Sequence, residues 1–469
     1  MAQSDSALAS ASFDLSLYIL TFNCARTPVQ PDVFAPYLFS ALSPGQRAPE
    51  LLVLCLQEVA PIAYAFLGGS FLTPYFDAFR AVVKLACKHL DARTDGDTGP
   101  DTATATATSY VNVLSRNLGL TAIMIFARAD IADNIAWIHT AGVGLGVSDM
   151  GNKGAIGARL GYRYGSASPS PGEADDKEVQ MTFVAAHLAA MEDALEQRNA
   201  DYKNIVQRLV FVPETTTSTQ RAGPRDEQAE DAPLLQGQLD PPLRNAPPET
   251  GIYSAYSHLF IAGDLNYRTS LLQPSPQDVE ERFPQPTSDE NDPKHFHHLL
   301  AEDQLTQQVK AGNTLHGLTE ATIDFPPTYK YDPDSSKAVT LDREQHWTWA
   351  RHRWPSWCDR IFFWKPDGDV KVNPLRYTCL PLFATSDHRP VALAATAPLK
   401  AVTDAIKDQN APYPIDPEWR SRRATARKKE LVVGLLAYLS LTREGNGLLV
   451  AITIGTLGGW LVIRSLLMA

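Results

Sequence analysis

Several signals that would fix a function class at once are missing from this sequence. Cysteine is scarce, with Cys24, Cys55, Cys87, Cys358 and Cys379 the only five in 469 residues. An odd, scattered set without a CxxC pair or Cys/His spacing excludes a disulfide scaffold and offers no zinc site. The opening MAQSDSALASASFD lacks the basic start and apolar run of a secretory signal, so the body of the chain is expected in the cytosol. Basic charge is in deficit, 42 Lys and Arg against 53 Asp and Glu, a net charge of −11. Nonspecific nucleic-acid binding relies on basic patches that release counterions, and this balance argues against it. No GxxxxGKS loop and no GxSxG elbow occurs, which removes the main support for nucleoside-triphosphatase or α/β-hydrolase chemistry.

What is present is a globular composition, 44% hydrophobic and 20% charged, with enough chain for about three domains or one large domain with additions. Strand-like segments fall at 15–22, 51–56, 120–126, 181–186, 258–262, 360–364 and 391–395, and helical patterns at 60–67, 75–90 and 191–209. Without regular βαβ spacing, they predict a layered α/β fold, two packed β-sheets flanked by helices. Four stretches rich in Pro, Gly, Ser, Thr or acid, 91–109, 165–180, 213–251 and 270–303, read as surface insertions. They hold the acidity, and are expected to face away from an anionic membrane.

The C-terminal end differs from the rest. Residues 448–463 are uncharged, and the apolar character continues past Arg464 to Met468. A helix over 448–468 rises about 31 Å, close to the thickness of a hydrocarbon core. Before it lie a shorter apolar run, 431–441, and RSRRATARKK at 420–429, basic at six of ten positions. A basic flank is expected on the cytosolic side. The pattern predicts a linker over 399–430 and a membrane anchor over 431–469; a buried helical hairpin is the alternative. Its modest length suits the endoplasmic reticulum, with the mitochondrial outer membrane open.

One pattern recurs inside the body: an apolar strand runs out and stops on a polar side chain. LYILTF ends on Asn23, LLVLCLQ on Glu58, MTFVAA on His187 and HLFIAG on Asp264, with Asn266 just beyond; Asp387 and His388 precede RPVALAA. One such residue is usually a turn residue. Five cases argue for side chains converging at one rim of a sheet. Their chemistry suits metal-assisted hydrolysis. Glu58 and Asn23 are hard oxygen donors appropriate to Mg²⁺. Asp264 could take a proton from water fixed by Asn266, while His388 and His187 offset charge on a phosphoryl oxygen.

The motifs TFN at 21–23, LQEV at 56–59, GNKGAIGARL at 151–160, AHLAA at 186–190, GDLNYR at 263–268, PPTYKYD at 326–332, PSWCDRI at 355–361 and SDHRPV at 386–391 occur in that order. Together, across about 13–398, they resemble the inositol polyphosphate 5-phosphatases of the Mg²⁺-dependent endonuclease/exonuclease/phosphatase superfamily. The resemblance implies a two-sheet sandwich. It implies metal binding at Asn23 and Glu58, with Asp387 beside the metal; water activation by Asp264 with Asn266; and a catalytic His388 paired to Asp359. His187 matches a contact to the 5-phosphate, and Tyr329, Lys330 and Arg360 match positions gripping the 4-phosphate. Asn152 and Lys153 of the GNKG motif, with Arg351 and Arg353, complete the candidate substrate contacts. Ala185, Ala186 and Met191 depart from the family's NSHLAAH, removing polar support around His187.

The expected activity is Mg²⁺-dependent hydrolysis of the 5-phosphate of phosphatidylinositol 4,5-bisphosphate by a membrane-anchored enzyme, since an anchor raises effective concentration toward a lipid and not toward a soluble inositol phosphate. A soluble inositol polyphosphate phosphatase, a nuclease of the same superfamily and a non-catalytic phosphoinositide tether are the alternatives.

Overall fold

The computed structural model describes residues 14–95, 107–164, 177–212, 250–254, 257–332, 346–365, 370–400 and 411–468. Twelve strands occur among them: β1 (Asp14–Asn23), β2 (Leu51–Gln57), β3 (Tyr110–Leu118), β4 (Thr121–Arg128), β5 (Ile135–Gly144), β6 (Gly154–Tyr164), β7 (Lys177–His187), β8 (Ser257–Asp264), β9 (Leu318–Glu320), β10 (Asp359–Trp364), β11 (Asn373–Cys379) and β12 (Val391–Pro398). They form two six-stranded sheets, ordered β11-β12-β1-β2-β4-β3 and β5-β6-β7-β8-β10-β9. Both are mixed, with β1–β2 and β7–β8 the parallel pairs.

Period-two alternation sorts each strand's side chains into two layers. On β1, Leu15, Leu17 and Ile19 face the opposite sheet and join Leu51, Val53, Ile156, Met181, Phe183, Phe260 and Ile361 in one core. Tyr18, Leu20 and Phe22 face outward, under the long helix Thr73–Asp95. The second sheet's outer face carries Val184, Ile261 and Phe362 beneath the helix Leu195–Arg208. The expected two-sheet sandwich with helical flanks is therefore the fold.

Sequence patterning located seven strands; β3, β5, β6, β9 and β11 went unread. The insertion expected over 270–303 is corrected: it forms the helices Pro276–Glu281 and Phe296–Leu300, and its Phe283 and Leu299 are buried in the main core. Most of the other three insertions lies outside the described residues.

The boundary placed at 430 and 431 also gives way. A single helix, Trp419–Leu441, runs through it and packs on the body. Arg427 donates to the carbonyls of Phe66 and Leu67, ending the helix Ile62–Leu67. A second helix, Arg443–Met468, is long and apolar enough to cross a membrane, with a mean hydropathy of 1.8 and none of its apolar window buried.

Candidate active site

The core's own alternation builds the site. The face of β1 that places Leu17 and Ile19 inward reaches Thr21 and then Asn23. On β7, Phe183 and Ala185 lead to His187; on β8, Phe260 and Ala262 lead to Asp264; on β10 the inward series with Ile361 and Phe363 begins at Asp359. In register, His187 lies opposite Asp264, and Asp264 opposite Asp359. Polar groups therefore gather where the inter-sheet core ends, on rigid strands. Glu58 and Asn266 follow β2 and β8 with positive φ of 46° and 58°, turning away from the strand direction as they leave it.

Asn23, Glu58, His187, Asp264 and Asn266 line a cavity of about 340 Å³ with Arg26, Lys153, Arg268, Tyr329, Lys330, Asp387 and His388. Asp264, 1% exposed, is fixed from several sides. Its Oδ2 accepts from Asn23 Nδ2 at 2.9 Å and lies 3.2 Å from His187 Nε2, while its Oδ1 accepts from the Asn266 N–H at 3.1 Å. Lys153 Nζ contacts His187 Nε2. His388 Nδ1 pairs with Asp359 Oδ2 at 2.9 Å, and Thr328 Oγ1 donates to that same oxygen at 2.7 Å. Lys330 meets Asp387 at 2.9 Å.

Electrostatics separate the carboxylates. Burial favours protonation of Asp264, but His187, His388 and Lys153 outweigh it and hold the carboxyl well below the usual range. Burial pushes Asp359 up to about 6 against the opposing His388. For His388, burial opposes charge, yet Asp359, Asp264 and Asp387 push it up to about 9, so its imidazole carries both protons at neutral pH. Burial and Lys153 push His187 down, against the pull of Asp264 and Glu58.

A divalent cation fits this donor set. Glu58 opens on the cavity as an ionised carboxylate: burial alone would raise it, but His187, Arg26 and Lys153 hold it low. Asp387, held low by His388 and Lys330 against burial, faces the same space. Asn23 turns its amide nitrogen to Asp264, and its oxygen accepts the Ala25 N–H at 3.0 Å, leaving that oxygen a second lone pair. Asp264, Asp359 and His388 also lie within 4.8 Å of one another. Asp359 Oδ2 is taken by His388 Nδ1 and Thr328 Oγ1, so within this trio it orients an imidazole, while its Oδ1 is buried with no partner among the described residues.

Four expected substrate contacts lie off the cavity. Arg360 is 1% exposed and points to the opposite face of β10 from Asp359, where it pairs with Asp303 at 2.9 Å and with Glu320. The adjacent position on a strand necessarily faces the other way. Arg353 is engaged by Glu192 at 3.1 Å, beside Met191. Arg351 is exposed outside the lining, and Asn152 Oδ1 lies against Gly146. Conversely, Arg26 and Arg268 line the cavity without having been singled out. Arg26 pairs with Glu58 at 2.7 Å. Arg268 stacks on Tyr329 and donates to Asn266, and one of its terminal nitrogens is buried with no partner among the described residues. Arg268 sits inside the GDLNYR motif, which was the available signal; Arg26 has none.

Residues 20–394 match the family model described as endonuclease/exonuclease/phosphatase family 2. The chain belongs to that family. Its relatives include the polyphosphatidylinositol phosphatase INP53 of Saccharomyces cerevisiae, 26% identical over 83% of this chain and 27% of that protein. The type I inositol polyphosphate 5-phosphatase 1 of Arabidopsis thaliana is 26% identical over 63% of this chain and 40% of its own length. The type II inositol 1,4,5-trisphosphate 5-phosphatase of Mus musculus is 28% identical, over 61% and 22%. The match thus spans well under half of these family members. Among solved structures, the inositol polyphosphate 5-phosphatase domain of SpSynaptojanin, in complex with inositol (1,4)-bisphosphate and calcium, covers 90% of each chain with a TM-score of 0.51 at 20% identity. That likeness establishes the family's fold here.

Proposed function

We propose that this protein hydrolyses the 5-phosphate of phosphatidylinositol 4,5-bisphosphate, with Mg²⁺, at the surface of a membrane that its C-terminal helix enters. One observation carries the reading: buried Asp264, fixed by Asn23 and Asn266, shares a cationic cavity with Glu58 and with His388, whose Nδ1 pairs with Asp359. The phosphoinositide and inositol phosphatases among the relatives support the substrate class.

Glu58 and Asp387, with the Asn23 oxygen, would hold the cation, whose charge offsets that of the phosphoryl and leaving oxygens. Asp264 stays ionised and accepts a hydrogen bond from the attacking water, with Asn266 fixing the turn that carries it. His388 donates from Nε2 to a phosphoryl oxygen, its ring oriented by Asp359 through Nδ1. Lys153 adds charge on the 5-phosphate side beside His187. Lys330, Tyr329 and the unpartnered nitrogen of Arg268 supply the wall where a neighbouring 4-phosphate needs cations and donors.

Lipid preference rests on the apolar helix Arg443–Met468. The endoplasmic reticulum is the membrane proposed, on the modest apolar length, and imaging of the tagged full chain tests it. Phosphate release by the full chain from mixed vesicles and from soluble inositol trisphosphate tests substrate choice. Higher efficiency on the vesicles is expected; strong preference for the soluble compound overturns the lipid assignment.

A further inference from the structure

Glu430 is an acid beside a basic segment, and it is completely buried. Its Oε1 accepts from the Gly151 N–H and from Arg423, each at 2.9 Å, and its Oε2 lies 3.3 Å from Arg427. Arg427 in turn holds the carbonyls of Phe66 and Leu67. One turn further on, Gly434 lies so close that a Cβ there would meet the Phe66 Cβ at 2.9 Å. A carboxylate is buried only where charge and hydrogen bonds offset its desolvation, so this helix is seated by specific groups.

The seat leads into the cleft along two routes. The Gly151 carbonyl accepts from the Leu120 N–H at 2.9 Å, and the Leu120 carbonyl accepts from the Val59 N–H at 3.1 Å, next to Glu58. In the other direction, Lys153 follows Gly151 by two residues and contacts His187. One side chain of the tail thus holds the backbone between a candidate metal ligand and the cleft lysine.

We propose that Glu430 is a positioning residue: the root of the membrane anchor braces the Gly151–Lys153 loop and completes the cleft, apart from any role in reaching a bilayer. Its catalytic consequence rests on the phosphatase reading; the brace itself does not. Turnover is measured for the full chain in detergent, with soluble inositol trisphosphate and Mg²⁺, where membrane targeting plays no part. Glu430→Ala is expected to lower kcat about tenfold to a hundredfold, the scale of a small misplacement at a reacting centre. Glu430→Gln, which keeps an oxygen acceptor for Gly151, retains more of it. Arg423→Ala, which leaves the Gly151 bond in place, keeps kcat even if its melting temperature falls equally. Hydrogen exchange needs no turnover: the amides of Gly151, Leu120 and Val59 are expected to exchange faster in Glu430→Ala than in wild type. Should the alanine chain not fold, the glutamine chain carries both comparisons with smaller changes. Wild-type protein that releases no phosphate contradicts the functional reading, while exchange still judges the brace. Unchanged kcat or unchanged exchange in a folded position-430 variant overturns the proposal.

Discussion

His388 holds its proton because three carboxylates outweigh its burial, and that fixes a sign for pH dependence. With the pKa pushed up to about 9, the imidazole donates at neutral pH and stops donating as pH rises through that value. The kcat profile is therefore expected to fall on its alkaline limb near pH 9. Asp359→Asn removes the carboxylate that raises His388 most, so the limb should move to lower pH. An unmoved limb would assign the titration elsewhere. Arg360 gives the opposite kind of test. Its partner Asp303 is buried and Glu320 only slightly exposed, and breaking a buried pair costs roughly 3–5 kcal/mol. Arg360→Ala is expected to lower the melting temperature sharply while leaving KM unchanged in whatever folds; a raised KM at unchanged stability would return it to the substrate. At this scale the strand-end residues were legible because the core's parity stops at them. Arg360 was misread because it inherits a motif without the strand face that its neighbour Asp359 occupies. Arg26 was invisible, since only the turn after Asn23 brings it over Glu58.

Among the elements, the parallel pairing of β7 with β8 sets the site, because it puts His187 level with Asp264. Gly263 permits that pairing: a Cβ there would run into the Ala186 carbonyl, which is backbone and cannot swing away. Gly263→Ala is expected to abolish soluble expression or to cost most of the activity through lost register, read by melting and turnover together. Native-like values for both would contradict this. The strands found from sequence are the uniformly apolar ones, buried on both faces. Those missed carry interruptions: β6 alternates small residues with Arg159 and Arg163, β5 mixes His139 and Trp137 with glycines, and β11 starts at the exposed Asn373–Pro374. Their strand character comes from neighbours already in place, which local composition cannot record.

For the molecule as a whole, the tail has two parts, a helix packed on the body and an exposed apolar helix. The terminal helix matches the apolar segment evident in the sequence. The helix before it reads in the sequence as a basic linker to 430 and the start of the anchor from 431, because the buried contacts of Glu430 and Arg427 are made with residues nearly 300 or more positions away. Charge at the centre of a spanning helix costs about 2.5–3.5 kcal/mol per residue. Replacing Ile454 and Leu457 by Arg should therefore shift the full chain from the membrane pellet to the supernatant, while turnover of soluble substrate survives. Retention in the pellet would contradict an anchor at Arg443–Met468.

The most direct test of the phosphatase cleft is phosphate release by the full chain from vesicles containing phosphatidylinositol 4,5-bisphosphate, compared between wild type and Asp264→Ala, with and without a divalent-cation chelator. Release by the wild type is expected to yield the 4-phosphate lipid, to stop with the chelator and to fall at least about a hundredfold in the variant, with equal vesicle binding by both. Release by a folded Asp264→Ala chain at the wild-type rate, or a wild type that leaves the 5-phosphate in place, would contradict this.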